Sequence, residues 1–530
     1  MRLPAPEALR SKSAMSGASG ISFPVPRGVP VSLFQERPVP LLVFALAGRL
    51  GSGASFVGEK IGQQLRTFDY EVEFVDVSTL ILVATNKEQG NGHAALKQVQ
   101  AEFEAAQPSA VARTLALQDR GNQLRDSYGK EILAGLCISE VIAPDLRKKN
   151  VIAEGKRQAY IIDSLKHPEE ATLLRKVFGD AFYLVGVVAT DLRRRERLVQ
   201  QKKYTEDEFN QLNPRDADEA GVKHGQHAIE TVVSSDYLFA NDYGTRHQIS
   251  DEADRLLRLV FGVQVVSPRH DEFGMHVAFK AALRSACLSR QVGAALFSSD
   301  HEILGTGHND VPQFGGGLYS GDDEDQRCWS RGGKCYNDEE KQKLVAELAD
   351  ALITAQLLPA ERLHQAVAVL EKTRVKSLIE FSRAVHGEME AILSVARAAT
   401  RGLVGATLYA TTYPCHSCAK HIIGSGISRV VYLEPYEKSL ALRLHSDAFA
   451  SSPEEAKREK VLVELFGGVA PHRYEDFFTM PERKEKGSFI DKDRERQVLM
   501  PVGAQEGELL QLRLERLARA ADQRFRPTTT

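Results

Sequence analysis

The chain has 530 residues, 43% hydrophobic and 26% charged, and its 68 Lys+Arg against 71 Asp+Glu leave a formal charge of −3. That length exceeds one ordinary core, so two or three globular domains are expected. The near-balanced charge weighs against a dedicated nucleic-acid binder, though a local basic groove stays open, and six cysteines are too few for a disulfide scaffold.

Residues 1–37 carry Pro, Ser, Gly and scattered Arg with no apolar block like a secretory signal, and they read as a mobile arm. No run reaches the roughly 18 apolar residues of a bilayer span. The strongest, 41–47, is strand-sized. The expectation is a cytoplasmic protein with no membrane attachment.

From 38 to 262 short β-branched runs (41–47, 72–77, 159–162, 182–188) alternate with helical stretches (55–66, 121–142, 168–178, 192–203). Strands separated by helices predict a doubly wound, mostly parallel α/β sheet. The first strand leads into Gly48-Arg49-Leu50-Gly51-Ser52-Gly53-Ala54-Ser55, which opens a helix. This is the setting of a phosphate-cradling Walker A loop, where backbone N–H groups meet the anion at a helix N-terminus. Every fixed position of the motif is met except the lysine, replaced by Ala54. Without that ammonium, phosphoryl transfer is in doubt, while nucleotide binding could rest on the N–H groups and Ser55. Asp163, ending an apolar run, is a candidate Mg²⁺-side acid; a Gly-rich turn in an unrelated α/β domain is the competing account.

A second block runs from 267 to 475, with an insertion at about 313–380, and a charged tail occupies 476–530. A helix over 272–288, a hairpin (292–297, 302–307), long helices, and a strand–helix–strand unit (407–412, 415–424, 429–433) are predicted. His386-Gly387-Glu388 and Pro414-Cys415-His416-Ser417-Cys418 are its chemical core. Two thiolates and one imidazole would hold a Zn²⁺ and leave its fourth position open, as in catalytic sites. Glu388, two positions after the histidine, would sit at the edge as proton shuttle. Together, H-x-E and P-C-x-x-C form the signature of zinc nucleobase deaminases. Separately, a CxxC pair could equally be structural or redox-active. Cys328 and Cys335, in an insertion with the chain's single Trp, would bind a second, structural zinc with His308 or His421, or else be free thiols. Cys137 and Cys287 read as core residues on apolar helical faces.

Residues 275–297 (MHVAFKAALRSACLSRQVGAALF), Gly307-His308-Asn309, the His386–Glu388 triplet and 411–418 (TTYPCHSC) resemble the deoxycytidylate-type branch of the cytidine and deoxycytidylate deaminases. One departure is Gly387, where that family usually has Ala. Residues 119–129, 162–176 and Arg193 to Arg197 resemble a nucleotide-kinase-like P-loop domain, and the pairing of the two is similar to the anti-phage dCTP deaminases. The resemblance implies a cytidine-deaminase-like α/β/α domain joined to the P-loop domain. It also implies deamination of free dCTP and dCMP, Asn309 contacting the sugar (or simply serving a turn), Lys438 near a phosphate, a homo-oligomer, a nucleotide effector at the P-loop and, in some relatives, a regulatory RNA. The arginine cluster would be a lid or a solvated face. A deaminase of tRNA or single-stranded DNA, and a P-loop kinase with a regulatory appendage, are the alternatives.

Overall fold

The computed structural model describes residues 38–88, 101, 103, 105–202, 204–217, 225–242, 246–263, 265–399, 402–436, 438–457, 459–479, 484–489, 505–506 and 510–516. The expected N-terminal arm and most of the charged tail lie outside them.

Strand β1 (Leu41–Gly48) is buried along its whole length, as a central parallel strand covered on both faces must be. Its residues alternate between two cores. Val43, Ala45 and Ala47 enter one apolar cluster and Leu42, Phe44 and Leu46 the other. Around it lie β2 (Glu71–Asp76), β3 (Gln158–Leu165), β4 (Phe182–Val188) and β5 (Tyr237–Ala240), all parallel, in the order β5-β4-β1-β3-β2. The order reverses on either side of β1, so the crevice at its carboxyl end is a switch point where open α/β sheets take ligands. Helix α1 (Ala54–Thr67) starts there.

The second sheet contains β6 (Gly293–Phe297), β7 (Ile303–His308), β8 (Thr407–Thr412), β9 (Arg429–Glu434), β10 (Phe449–Ala450) and β11 (Val461–Leu465), ordered β10-β11-β9-β8-β6-β7. The β6–β7 hairpin is antiparallel, and β8, β9, β11 and β10 run parallel. The molecule is thus α/β in both halves. Differences from the expected elements follow from local breaks. The helix expected over 121–142 ends at Tyr128, because Gly129 takes φ 107°, and resumes at Ile132. Helix α4 (His270–Ala282) ends before Cys287, because Ser285 Oγ donates to the Asn309 carbonyl (2.6 Å) and the Ala286 N–H to Asp310 (2.9 Å). Cys287 is therefore half-buried in a loop, not core on a helical face, whereas Cys137 is fully buried.

The halves interlock. A short strand β12 (Gly468–Val469), after the last strand of the second sheet, pairs antiparallel with β5 of the first. Arg255, on α3 (Arg246–Phe261), forms a two-pronged ion pair with the fully buried Glu272 of α4 (2.8 and 2.7 Å). The same carboxylate accepts the N–H groups of Val469 (2.8 Å) and Arg269 (2.7 Å). Gly468 has φ 120°, and a Cβ there would lie 2.5 Å from Glu272 Oε1. From the far end of the chain, residues 505–506 pair with 38–39, and Leu510 and Leu514 are buried in the cluster that also holds Val43 and Met275.

Candidate metal centre and phosphate loop

Two helix N-termini meet at the first site. His386 is the N-cap of α7 (Gly387–Ala398), and Cys415 is the N-cap of α8 (His416–Gly424). Pro414 separates Cys415 from β8, and the Cys415 sulfur accepts the Cys418 N–H at 3.4 Å. His386 Nδ1 lies 3.3 Å from Cys418 Sγ and 3.4 Å from Cys415 Sγ. Zinc bonds of about 2.3 Å to sulfur and 2.1 Å to nitrogen place tetrahedral donors roughly 3.6 Å apart, so the spacing fits the ion. Among the described residues, these three are the one group of at least three such side chains whose ligand atoms gather within 4.8 Å.

The three groups are coupled through their mutual hydrogen bonds. Hydrogen bonding from Cys418, and then from His386, holds the Cys415 thiol down to about 4 against the opposing effect of burial. Cys418 is pushed up by its hydrogen bond to Cys415 and by burial, and His386 is raised by its bond to Cys415. The N-terminal helix dipoles favour the thiolate as well. Glu388 is 4% exposed and within hydrogen-bonding reach of Cys418; burial raises its carboxyl above the usual range. A buried carboxyl beside these donors is placed to take and give a proton. Gly387 has a steric reason: a Cβ there would stand 3.0 Å from the Val292 carbonyl.

Asn309 is buried, with its amide occupied by the backbone: Oδ1 accepts the Val292 N–H (2.7 Å) and Nδ2 donates to the Arg290 carbonyl (2.8 Å). Lys438 is exposed, and Ser439 Oγ donates to the Pro414 carbonyl (2.7 Å). Cys328 and Cys335 line a small pocket, partly open to solvent, with Cys287 as a third thiol. His421 faces Ser417 O (2.7 Å). Burial, and then Arg284, drive His308 down to about 4, so its ring is neutral.

At the second site the loop from Gly48 to Ser55 joins β1 to α1, with Gly51 at φ 83° and Gly53 at φ 89°. Its carbonyls are held by the chain: Arg194 Nε donates to Leu50 O (2.9 Å), Arg197 Nη1 to Ser52 O (2.9 Å), and Asn241 Nδ2 to the same oxygen (2.7 Å). Lys166 Nζ donates to Gly48 O (2.7 Å) and pairs with Asp216 (2.8 Å), which accepts the Leu50 N–H. Ser52 Oγ is buried without a hydrogen-bond partner. Asp163, raised by burial, is hydrogen-bonded by Ser55. From the arginine cluster, Arg194 and Arg197 brace the loop; Arg194 is 1% exposed. Lys166, Asp216 and Asn241 escaped the sequence reading because they reach the loop across 118 to 189 residues, with no local motif to mark them.

The cytidine and deoxycytidylate deaminase zinc-binding region matches residues 268–434. The deoxycytidylate deaminase of Mycobacterium phage D29 is 30% identical over 165 residues, 31% of this chain and 94% of that protein. That of Enterobacteria phage T4 is 29% identical over 168 residues, 31% of this chain and 78% of that protein. Among solved structures, the dCMP deaminase of cyanophage S-TIM5 aligns over 38% of this chain and 100% of that one, at 17% identity and a TM-score of 0.21. No helix among the described residues is long and apolar enough to cross a membrane.

Proposed function

The chain belongs, through residues 268–434, to the cytidine and deoxycytidylate deaminase family, and we propose that it hydrolyses free deoxycytidine nucleotides, dCTP and dCMP, to uracil nucleotides and ammonia. The observation that carries this reading is the convergence of His386, Cys415 and Cys418 with the buried carboxyl of Glu388 beside them. Those three side chains would hold Zn²⁺, which when bound lowers the pKa of a ligated water toward about 7 and so supplies the hydroxide nucleophile.

The protein's own part is to move protons and exclude water. Hydrolysis forms a C4–O bond on cytosine and breaks the exocyclic C4–N bond. The Glu388 carboxylate takes a proton from the attacking water and hands it to the departing nitrogen, which leaves as ammonia. Burial of Glu388 keeps bulk water from competing for that proton. Free nucleotides need no base flipping, and the near-zero net charge suits a small substrate better than a polymer.

The flanking assignments belong to the same proposal. Residues 38–262 would form a P-loop domain that binds a nucleotide effector on the loop's N–H groups and Ser55, restraining an activity that drains a deoxycytidine pool as antiviral defence. Asn309 would fix the loop bordering the sugar through the backbone of Arg290 and Val292. Cys328 and Cys335 would hold a second, structural zinc with His308 or His421, or else stand as free thiols. The full chain is tested by following ammonia and uracil products from dCTP, dCMP, CTP, cytidine and single-stranded DNA separately, with Glu388→Ala as blank. Release from single-stranded DNA alone would overturn the free-nucleotide reading. One zinc per chain by metal analysis would remove the second site.

A further inference from the structure

We infer that Lys166 supplies the ammonium that Ala54 removes from the phosphate loop, and that it holds the phosphate chain of a nucleoside polyphosphate there; this rests on the effector reading. Lys166 follows directly on β3, the neighbour of β1 in the sheet, so its ammonium reaches the loop from beside it and not from within it. Its backbone is pinned on both sides. The N–H donates to Glu170 (2.9 Å), and the carbonyl accepts the His227 N–H (2.8 Å). Asp163, three residues earlier on β3, is hydrogen-bonded by Ser55 in the first turn of α1 and lies within electrostatic range of Lys166. The ammonium and the helix start therefore face the same strand end.

An anion already sits on these donors. The Asp216 carboxylate accepts the Leu50 N–H and the Lys166 ammonium (2.8 Å), and its side chain is 2% exposed. Burial alone would raise that carboxyl, but Lys166 and then Arg194 outweigh it and hold it low, so it carries its charge. An ammonium and a loop N–H around one carboxylate make the donor set that a phosphate oxygen also accepts. A second observation is Ser52 Oγ, buried without a hydrogen-bond partner inside the loop, where a Cβ added at Gly48 would collide with it. Lysine carries three N–H donors. Gly48 O (2.7 Å) and Asp216 take two of them, and among the described residues no acceptor meets the third. The phosphate chain takes that donor and displaces Asp216 from the Leu50 N–H, which releases the helix over Glu206–Ala217 as the ligand seats.

The test is calorimetric titration of the full chain with ATP and, separately, with inorganic tripolyphosphate. Loss of one charge-assisted phosphate contact corresponds to roughly a 10–100-fold change in affinity. Lys166→Met should weaken both probes by that factor. Returning the lysine to the motif, as Ala54→Lys on the Lys166→Met background, should restore binding to within about tenfold of wild type. Asp216→Asn should act opposite to a structural lesion and tighten both probes by roughly 3–10-fold, because no carboxylate has to be shed first. Binding of both probes that Lys166→Met leaves unchanged overturns the assignment while the effector reading stands. Weakening of ATP alone also overturns it, since the lysine would then touch the nucleoside. Failure of wild type to bind either probe overturns both readings. Melting temperature is measured on each variant, and if Lys166→Met is misfolded the sign of the Asp216→Asn change decides.

Discussion

The candidate metal centre and the candidate phosphate loop are both built at helix N-termini, yet they offer opposite chemistry. The centre gathers side chains: an imidazole, two sulfurs and a carboxyl, drawn from segments some thirty residues apart in sequence. The loop is one stretch of eight consecutive residues whose candidate donors are backbone N–H groups, those of Leu50 and Ser52 being already bonded within the protein, and the surrounding side chains hold its carbonyls. A cation needs lone pairs, which side chains supply; an anion needs donors, which the backbone supplies at a helix start. The first site should therefore break when a side chain is taken away, and the second when one is added.

The largest effect tests the first half of that contrast. Glu388→Gln should cut ammonia release by about 10²–10⁴ with zinc content unchanged; an active, zinc-loaded Glu388→Gln protein would remove the shuttle. Next in size, Glu272→Ala strips the partner from Arg255 between the halves and should cost about 3–5 kcal/mol. In urea denaturation, both halves should lose stability together, since the carboxylate also holds Val469. Addition at the loop comes third. Gly53→Ala puts a Cβ 2.5 Å from Asn241 Nδ2 at φ 89° and should destabilise by about 1–2 kcal/mol, weaken nucleotide binding and leave zinc content alone. The smallest effect is in acid. Burial alone would raise Asp271, but the two-pronged contact from Arg429 (2.7 and 2.8 Å) outweighs it and holds the carboxyl low. A depressed carboxyl contributes stability above its unfolded pKa of about 3.9 and loses it as pH falls through the folded value. Asp271→Asn should therefore be less stable than wild type at neutral pH, with the difference shrinking below about pH 4 in melting curves.

How much could be read from the sequence follows the same division. The loop is a contiguous motif, and Gly48, Gly51 and Gly53 stand where a turn into a helix needs them. The metal ligands are two short motifs whose residue types name their chemistry, so their meeting could be anticipated without knowing the fold between them. The strand–helix–strand unit around Cys415 was legible because apolar runs and Pro414 mark its borders. Less visible were the supports. Asp216 and Lys166 sit in stretches that read as ordinary polar helix and turn, and their role exists only once β3 and the helix over Glu206–Ala217 are brought beside β1. Cys287 was misplaced because the periodicity of α4 continues past the point where Ser285 and Ala286 pull the chain away.

Strand β12 has a practical consequence for dissecting the protein. It leaves the second sheet to complete the edge of the first, with Gly468 pressed against Glu272. A fragment ending near residue 262 would leave β5 with unpaired backbone groups, an invitation to aggregate. A fragment starting there would carry a stray strand and a buried carboxylate without its arginine. Loss of restraint, or of activity, after such a cut would report a damaged fold rather than a removed regulator. Questions about control in this protein are better put with single substitutions in the intact chain than with scissors.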